Sequence, residues 1–319
     1  MIFPEKLKKG DKVAIISPAT IVKEEYIAGA CARLRERGYI PVVMAGANGP
    51  ADGSFASARE QRLADLLSSL EDPEIKAILC ARGGYGCVHL LPEIPMQVVR
   101  DNPKWLIGFS DISALHALWN RAGVASLHAP MAKHLTIEPD DDPSTLHLFH
   151  ILEEGVEVDY SVPPHPFNRY GDAEGILRGG NLAVLNGLAS TPYDILALSD
   201  NEEVILFIED ISEAIYAVER MLMRLYLSGT LSKIKGLVVG QFTEYRPDRN
   251  HDSMEAMIHK LLTRYGIDSI PVAFGFPVGH VTLNYPLPEG GKASLCVNSE
   301  GVELKINDYG NPGSTGIGG

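Results

Sequence analysis

The chain predicts an α/β protein: an N-terminal Rossmann-like domain built on a parallel sheet, then a C-terminal mixed α/β domain. Three observations carry this. Up to about residue 130, short continuous apolar runs alternate with amphipathic helical windows, the pattern of a parallel sheet covered on both faces. Between Pro139 and about Gly180 the texture turns Pro-rich and irregular. Beyond it apolar runs and helical windows resume, and two alternating segments around Asn298 to Gly301 read as a terminal hairpin.

In order, "KVAIISP" reads as a strand, "EEYIAGACARLRERG" as a helix closed by Gly38, and "YIPVVMA" as a second strand. "ASAREQRLADLLSSLED" is helical, "IKAILCARGGYG" is a strand running into a Gly-rich turn, and "KWLIGFS" is a strand entering another helix. Ligands in such sheets gather beyond the carboxyl ends of the strands. "PDDDPS" is a turn, "TLHLFHILEEG" a short helix and "SVPPHPFNRYGDAEG" an irregular connector. The expected division is therefore a first domain over 1–160, a linker over 161–178 and a second domain over 179–308. The second holds "GILRGGNLAVLNGLAST", the strand-like "EEVILFIED" and "IKGLVVGQF", and helices over "SEAIYAVERMLMRLYLSG" and "SMEAMIHKLLTRYG". The small, polar tail over 309–319 is expected to be disordered.

Composition narrows the function. The 319 residues are 45% hydrophobic and 22% charged, as in a well-cored soluble protein. With 41 acidic against 28 basic residues the formal charge is −13 and no basic run appears, which argues against nucleic acid as a partner. The N-terminal stretch offers only the short "VAII", too short for a secretion-signal core or a membrane span, so a cytoplasmic location is expected. Cys31, Cys80, Cys87 and Cys296 lie scattered among apolar neighbours without CxxC pairing and read as buried free thiols. No HExxH or Cys/His ligand spacing appears; His128 and His134, six apart on an expected loop, make a poor metal site, and no metal or other cofactor is expected.

Three stretches carry chemistry. Ser110, in "GFSD", sits at a strand-to-helix turn. There a hydroxyl is exposed beside a free backbone N–H, as a nucleophile requires; the alternative is a helix N-cap, a role Ser113 could share. The stretch is not the GxSxG elbow, because Ile112 replaces its last Gly. "ARGGYG" places Gly83, Gly84 and Gly86 where backbone can approach a ligand closely; it lacks the spacing of a dinucleotide loop or P-loop, and a ligand-free turn stays open. Glu209-Asp210, ending "VILFIED", and His280, within "GFPVGHVTLNYPLP", have the types needed to activate a serine: a base, and a carboxylate to fix its tautomer. His280 as an ordinary loop residue, and the acidic pair as a solvated strand end or a cap for the helix after Ser212, remain alternatives. His128 is the best rival base, whereas His116, His147, His150 and His259 fall in helical windows.

Taken together, "GDKVAIISPA", "ARGGYG", "IGFSDISALH", "LRGGNLAVLNGLAST", "LFIEDISEAIYAVERML", "IKGLVVGQF" and "GFPVGHVTLNYPLPEG" resemble the serine LD-carboxypeptidases of peptidase family S66, along nearly the whole chain. The resemblance implies a Ser-Glu-His triad of Ser110, Glu209 and His280, and an oxyanion hole from the backbone N–H groups of Gly84 and Asp111. It also implies a second domain of swivelling, barrel-like form, a cleft between the halves and a homodimer. The implied reaction removes a terminal D-alanine from a murein tetrapeptide, a small peptide substrate met away from any membrane. A free terminal carboxylate calls for a cation, and Arg82 beside the Gly-rich loop is the nominee; pairing with a surface acid is its alternative. The nearest rival is the microcin C immunity type of the same superfamily, which cleaves an acyl-nucleotide-like amide and stacks an aromatic residue on the base. Here Trp105 and Trp119 lie beside Ser110 in sequence, and Phe167 and Tyr170 are the connector's candidates for such stacking.

Overall fold

The computed structural model describes residues 1–308; the tail expected to be disordered, 309–319, lies outside the described residues. The strands are β1 (Lys12–Ile16), β2 (Ile40–Val43), β3 (Ile75–Cys80), β4 (Trp105–Gly108), β5 (Ser126–His128), β6 (Val158–Val162), β7 (Gly171–Asn181), β8 (Val204–Ile211), β9 (Gly236–Thr243), β10 (Val272–Phe274), β11 (Leu287–Glu289), β12 (Lys292–Val297) and β13 (Val302–Asn307). The helices are α1 (Glu24–Glu36), α2 (Arg59–Glu71), α3 (Met96–Asp101), α4 (Ser113–Ala122), α5 (Ala132–Ile137), α6 (Pro143–Glu154), α7 (Leu182–Gly187), α8 (Ile215–Leu227), α9 (Thr230–Lys233) and α10 (Met254–Arg264). Among the described residues no helix is long and apolar enough to cross a membrane.

β1 to β5 form a parallel sheet in the order β5-β4-β3-β1-β2. Near-continuous burial of β1, β3, β4 and β5 is the reason they read as unbroken apolar runs, while β2, at the sheet edge, is partly to fully exposed. The second sheet runs β10-β9-β8-β7-β12-β13-β6, parallel through its first four members and antiparallel through the rest. In β12 and β13 buried and open positions alternate, as a half-exposed hairpin requires. This second sheet curls: Arg169, just before β7, exchanges both backbone bonds with Val272 on the far edge strand β10.

Three differences from expectation stand out. The connector is irregular only over 163–170, because β6 pairs with β13 and β7 is an 11-residue strand between β8 and β12. Four glycines and alternating charges hide β7 in the sequence, and pairing on both edges overrides its weak propensity. β11, from late in the chain, crosses over to cap the first sheet antiparallel to β5, with Pro288 tolerated because the strand is an edge. His134 lies in α5 rather than on a loop, and Cys296 is partly exposed, unlike the buried Cys31, Cys80 and Cys87.

Each of two apolar clusters draws on both halves of the chain. In one, Leu115 and Leu118 of α4 join Leu182 and Leu185 of α7, so the helix that follows Ser110 is packed against the second sheet's own helix.

Candidate active site

β4 ends at Gly108, and Ser110 opens a single 3-10 turn, Ser110–Ile112, that feeds α4. Its φ is 66°, a left-handed conformation that non-glycine residues hold only when their surroundings enforce it. Neither Ser110 nor Ser113 caps the helix: Phe109 and Ile112 hold those positions, without side-chain bonds. The Ser113 hydroxyl instead accepts from the Asn181 amide at 3.0 Å, linking the two halves. The Ser110 hydroxyl lies 2.9 Å from His280 Nε2, across 170 positions of sequence.

His280 Nδ1 lies 2.8 Å from Glu209 Oε2. A carboxylate only accepts, so this bond puts the proton on Nδ1 and leaves Nε2 free to take the hydroxyl proton of Ser110. Glu209 is fully buried on β8, while the His280 side chain keeps 16% of its surface open to the cleft. Gly279 is what lets the His280 loop lie so close: its φ is 122°, and a Cβ there would stand 2.9 Å from Glu209 Oε2. Asn284 closes the same loop, accepting from the Gly279 amide at 2.9 Å while its own amide donates to Ser144 Oγ at 2.9 Å.

Asp210, adjacent to Glu209, serves another end. It accepts from Asn181 Nδ2 and the Ile211 amide, both at 2.9 Å, and from the Ala183 amide at 2.8 Å, so it secures the start of α7. The helix expected to be capped by this pair, α8, begins at Ala214 with no side-chain cap. Burial, reinforced by the neighbouring Glu209, pushes the Asp210 carboxyl up to about 6.

The Gly-rich turn packs against Ser110: a Cβ on Gly83 would stand 2.9 Å from Ser110 Cβ and 3.1 Å from the Asp111 amide. Three anchors hold it. Thr20 Oγ1 donates to Gly83 O at 2.6 Å, Arg62 Nη1 donates to Gly86 O at 3.2 Å, and Asp111 Oδ2 accepts from the Cys87 amide at 2.9 Å. Burial raises the Asp111 carboxyl above the usual range. Gly84 has φ 106°, and a side chain there would collide with Thr20. Among the described residues neither the Gly84 nor the Asp111 amide donates to any protein group, so both are free to bind an anionic oxygen.

The rival base is elsewhere. His128 is fully buried, its ring between Phe109 and Phe207 at 5.8 and 5.1 Å, and burial drives its pKa well below the usual value. A cavity of about 860 Å³ opens above the His280 ring, bounded by Arg82, Phe109 and Lys133 of the first half and by Glu244 and His280 of the second. Arg82 is exposed, gives one N–H to Ile21 O at 2.7 Å and has no carboxylate partner among the described residues. Neither tryptophan lines the cavity: Trp105 and Trp119 are 2% and 0% exposed. Phe167 stacks on His259 at 5.0 Å and Tyr170 lies outside the lining. Sequence reasoning missed Thr20, Arg62 and Asn284, which act through hydrogen bonds to backbone groups that leave no pattern of spacing.

Relatives share this whole arrangement of chain. The N-terminal domain of the LD-carboxypeptidases matches residues 13–129 and their C-terminal domain residues 174–295. A probable murein peptide carboxypeptidase of Bacillus subtilis is 33% identical over 296 residues, 92% of this chain and 91% of that protein. The murein tetrapeptide carboxypeptidase of Pseudomonas aeruginosa is 30% identical, covering 89% of this chain and 92% of its own. The crystal structure of muramoyltetrapeptide carboxypeptidase from Oxalobacter formigenes superposes with a TM-score of 0.82 at 32% identity, over 93% of this chain and 99% of that one. A microcin C7 self-immunity protein shares the fold at a TM-score of 0.84 and 22% identity, over 97% and 99% of the two chains. Matched across both halves and by relatives of the same length, the chain belongs to peptidase family S66, the LD-carboxypeptidases.

Proposed function

We propose that the protein is a serine hydrolase that removes the C-terminal D-alanine of murein tetrapeptides by cleaving an L,D-peptide bond, through Ser110, His280 and Glu209. The observation that carries this reading is the chain of contacts from Ser110 Oγ through the His280 ring to buried Glu209, at 2.9 and 2.8 Å, at the base of a cleft large enough for a short peptide.

The reaction runs in two halves. Ser110 Oγ attacks the carbonyl carbon as His280 Nε2 takes its proton, and Glu209 stabilises the imidazolium. The carbonyl oxygen becomes an oxyanion received by the Gly84 and Asp111 amides, each worth about 3 kcal/mol of barrier. The C–N bond then breaks, His280 protonates the departing amine of D-alanine, and the shortened peptide remains as an ester on Ser110. Water, deprotonated by His280, attacks that ester and restores the serine. Arg82, on the cleft wall with no carboxylate partner, receives the terminal carboxylate in this reading. No step draws on a metal or organic cofactor.

In this reading the serine belongs to the unit spanning about 1–160 and its partners to that spanning 179–308, whose sheet also takes in β6 and the start of β7 ahead of it and lends β11 to the first. Acting on recycled wall peptide, the enzyme works in the cytoplasm as a homodimer. Against the immunity-type alternative stands the absence from the cleft lining of both tryptophans and of Phe167 and Tyr170, the connector's candidates for stacking, which leaves Tyr26 and Phe109 as its aromatic residues.

Incubation with L-Ala-D-Glu-meso-diaminopimelate-D-Ala, followed by mass spectrometry, is expected to show release of one alanine. Failure there, with cleavage of an acyl sulfamoyl nucleoside instead, would replace this reading by the alternative. Light scattering is expected to return twice the 34.6 kDa chain mass.

A further inference from the structure

We propose that Glu244, held by Ser212, is a subsite for the side-chain ammonium group of the diamino acid whose carbonyl Ser110 attacks. The inference rests on the carboxypeptidase reading and adds to it the residue that reads charge on the acyl side of the scissile bond.

The cleft is walled unequally. Lys23, Arg82 and Lys133 face it from the first half, and Glu244 faces it from the second. Its other acid, Glu138, adjoins the end of α5 on the same side as Lys133. Ser212 and Glu244 directly follow β8 and β9, whose last paired residues are Ile211 and Thr243. They therefore lie at the carboxyl edge of the strand that carries Glu209, where a parallel sheet presents its ligands.

The pair is built as a unit. The Ser212 amide donates to Thr243 O at 2.9 Å, and its hydroxyl donates to Glu244 Oε2 at 2.9 Å. The serine thus orients the carboxylate while consuming only part of its accepting capacity, and Glu244 has no cationic partner among the described residues. Both residues hold left-handed backbone, φ 62° at Ser212 and 55° at Glu244. Four non-glycine residues among those described have positive φ; one of them, Glu244, lines this cleft, and two more, Ser110 and Ser212, each hydrogen-bond a residue that does.

Reach is consistent with the assignment. Glu244 lines the same cavity as His280, whose Nε2 meets Ser110 Oγ at 2.9 Å. A side chain of four methylenes carries its nitrogen about 6 Å from its Cα. A diamino acid with its carbonyl at Ser110 can therefore lay its ammonium toward the strand end, where an exposed but oriented carboxylate prefers a cation to a neutral group.

The test compares three tetrapeptides that differ only in the third residue, L-lysine, meso-diaminopimelate or uncharged L-norleucine, and measures kcat/KM from alanine release. The wild type should favour lysine over norleucine by about tenfold or more, the usual worth of a charge-assisted hydrogen bond. Glu244→Gln should lower that ratio about tenfold, Glu244→Lys should invert it, and Ser212→Ala should lower it less. Because both peptides are compared on one preparation, partial unfolding of a variant cancels from the ratio. A ratio unchanged in Glu244→Gln, or a wild type indifferent to the charge, overturns the subsite while leaving the carboxypeptidase intact. Release of alanine from none of the three by the wild type removes that parent reading, and the subsite with it.

Discussion

His280 and His116 each lie beside a buried glutamate, with nitrogen-to-oxygen distances of 2.8 Å to Glu209 and 4.0 Å to Glu289. The residue types match, yet the surroundings assign them opposite work. His116 is fully buried, with both nitrogens engaged: Nε2 donates to Gly108 O at 2.8 Å and Nδ1 accepts from Ser126 Oγ at 2.8 Å. Burial lowers His116 to about 4, so near neutrality its ring is uncharged and forms no ion pair, and burial raises Glu289 well above the usual carboxylate value. His280 keeps one nitrogen on the serine and one face on the cleft. His116 secures the carbonyl two residues before Ser110, whereas His280 meets its hydroxyl. What separates the two is whether a nitrogen stays free for another group, and under the proposed mechanism that makes His280 the base and His116 a bolt.

The largest effect that would test this contrast is on turnover. Ser110→Ala and Glu209→Gln should each lower kcat by roughly 10⁴-fold or more, with Ser110→Ala folded by circular dichroism. A Ser110→Ala variant that still turns over would remove the nucleophile. Gly84→Ala should lower kcat by about 10²- to 10³-fold with a smaller change in KM, because a Cβ would push the amide off the oxyanion position. An equal loss in binding of a product peptide would mean that the turn only shapes the cleft.

The next effect is on stability. His116 binds its proton with a pKa near 6.5 unfolded and about 4 folded. Between those values the unfolded chain holds more protons, so stability falls as pH drops through that window, by about 3 kcal/mol in all. Asp210, raised from 3.8 to about 6, opposes it: there the folded chain holds more protons, and stability falls as pH rises from 4 to 6. Urea unfolding from pH 4 to 7 should show a less steep acid loss in His116→Phe and a steeper one in Asp210→Asn. Identical slopes in all three proteins would refute the assignment. Smallest is the loss at pH 7 in His116→Phe, about 2 kcal/mol for leaving Gly108 O and Ser126 Oγ without their buried partner. Its kcat should fall by less than tenfold; a loss as large as that of His280→Ala would erase the distinction between the two histidines.

The first sheet was legible because its parallel strands are apolar runs, buried along their length in all but the edge strand β2, and each connecting helix shows an apolar stripe. β7 was not, since its glycines are set by neighbouring strands and its propensity is poor. β11 was not either, because three residues with a central proline carry no signal of the sheet they join. At the site, Ser110, Glu209 and His280 could be singled out from strand ends, loop composition and family wording. Thr20, Arg62 and Asn284 could not, because a side chain that bonds backbone carbonyls or amides has no local signature.

By itself the amino-acid sequence determined the fold class, the family and the chemical types available at the strand ends, since these follow from short-range patterning and from the wording of a few motifs. Only the tertiary structure decided which histidine meets which hydroxyl. Ser110 and His280 stand 170 positions apart, and their 2.9 Å contact is created by α4 packing on α7 and by β11 crossing to the first sheet. Burial of that kind is a property of all the surrounding elements at once, which no local stretch of chain encodes.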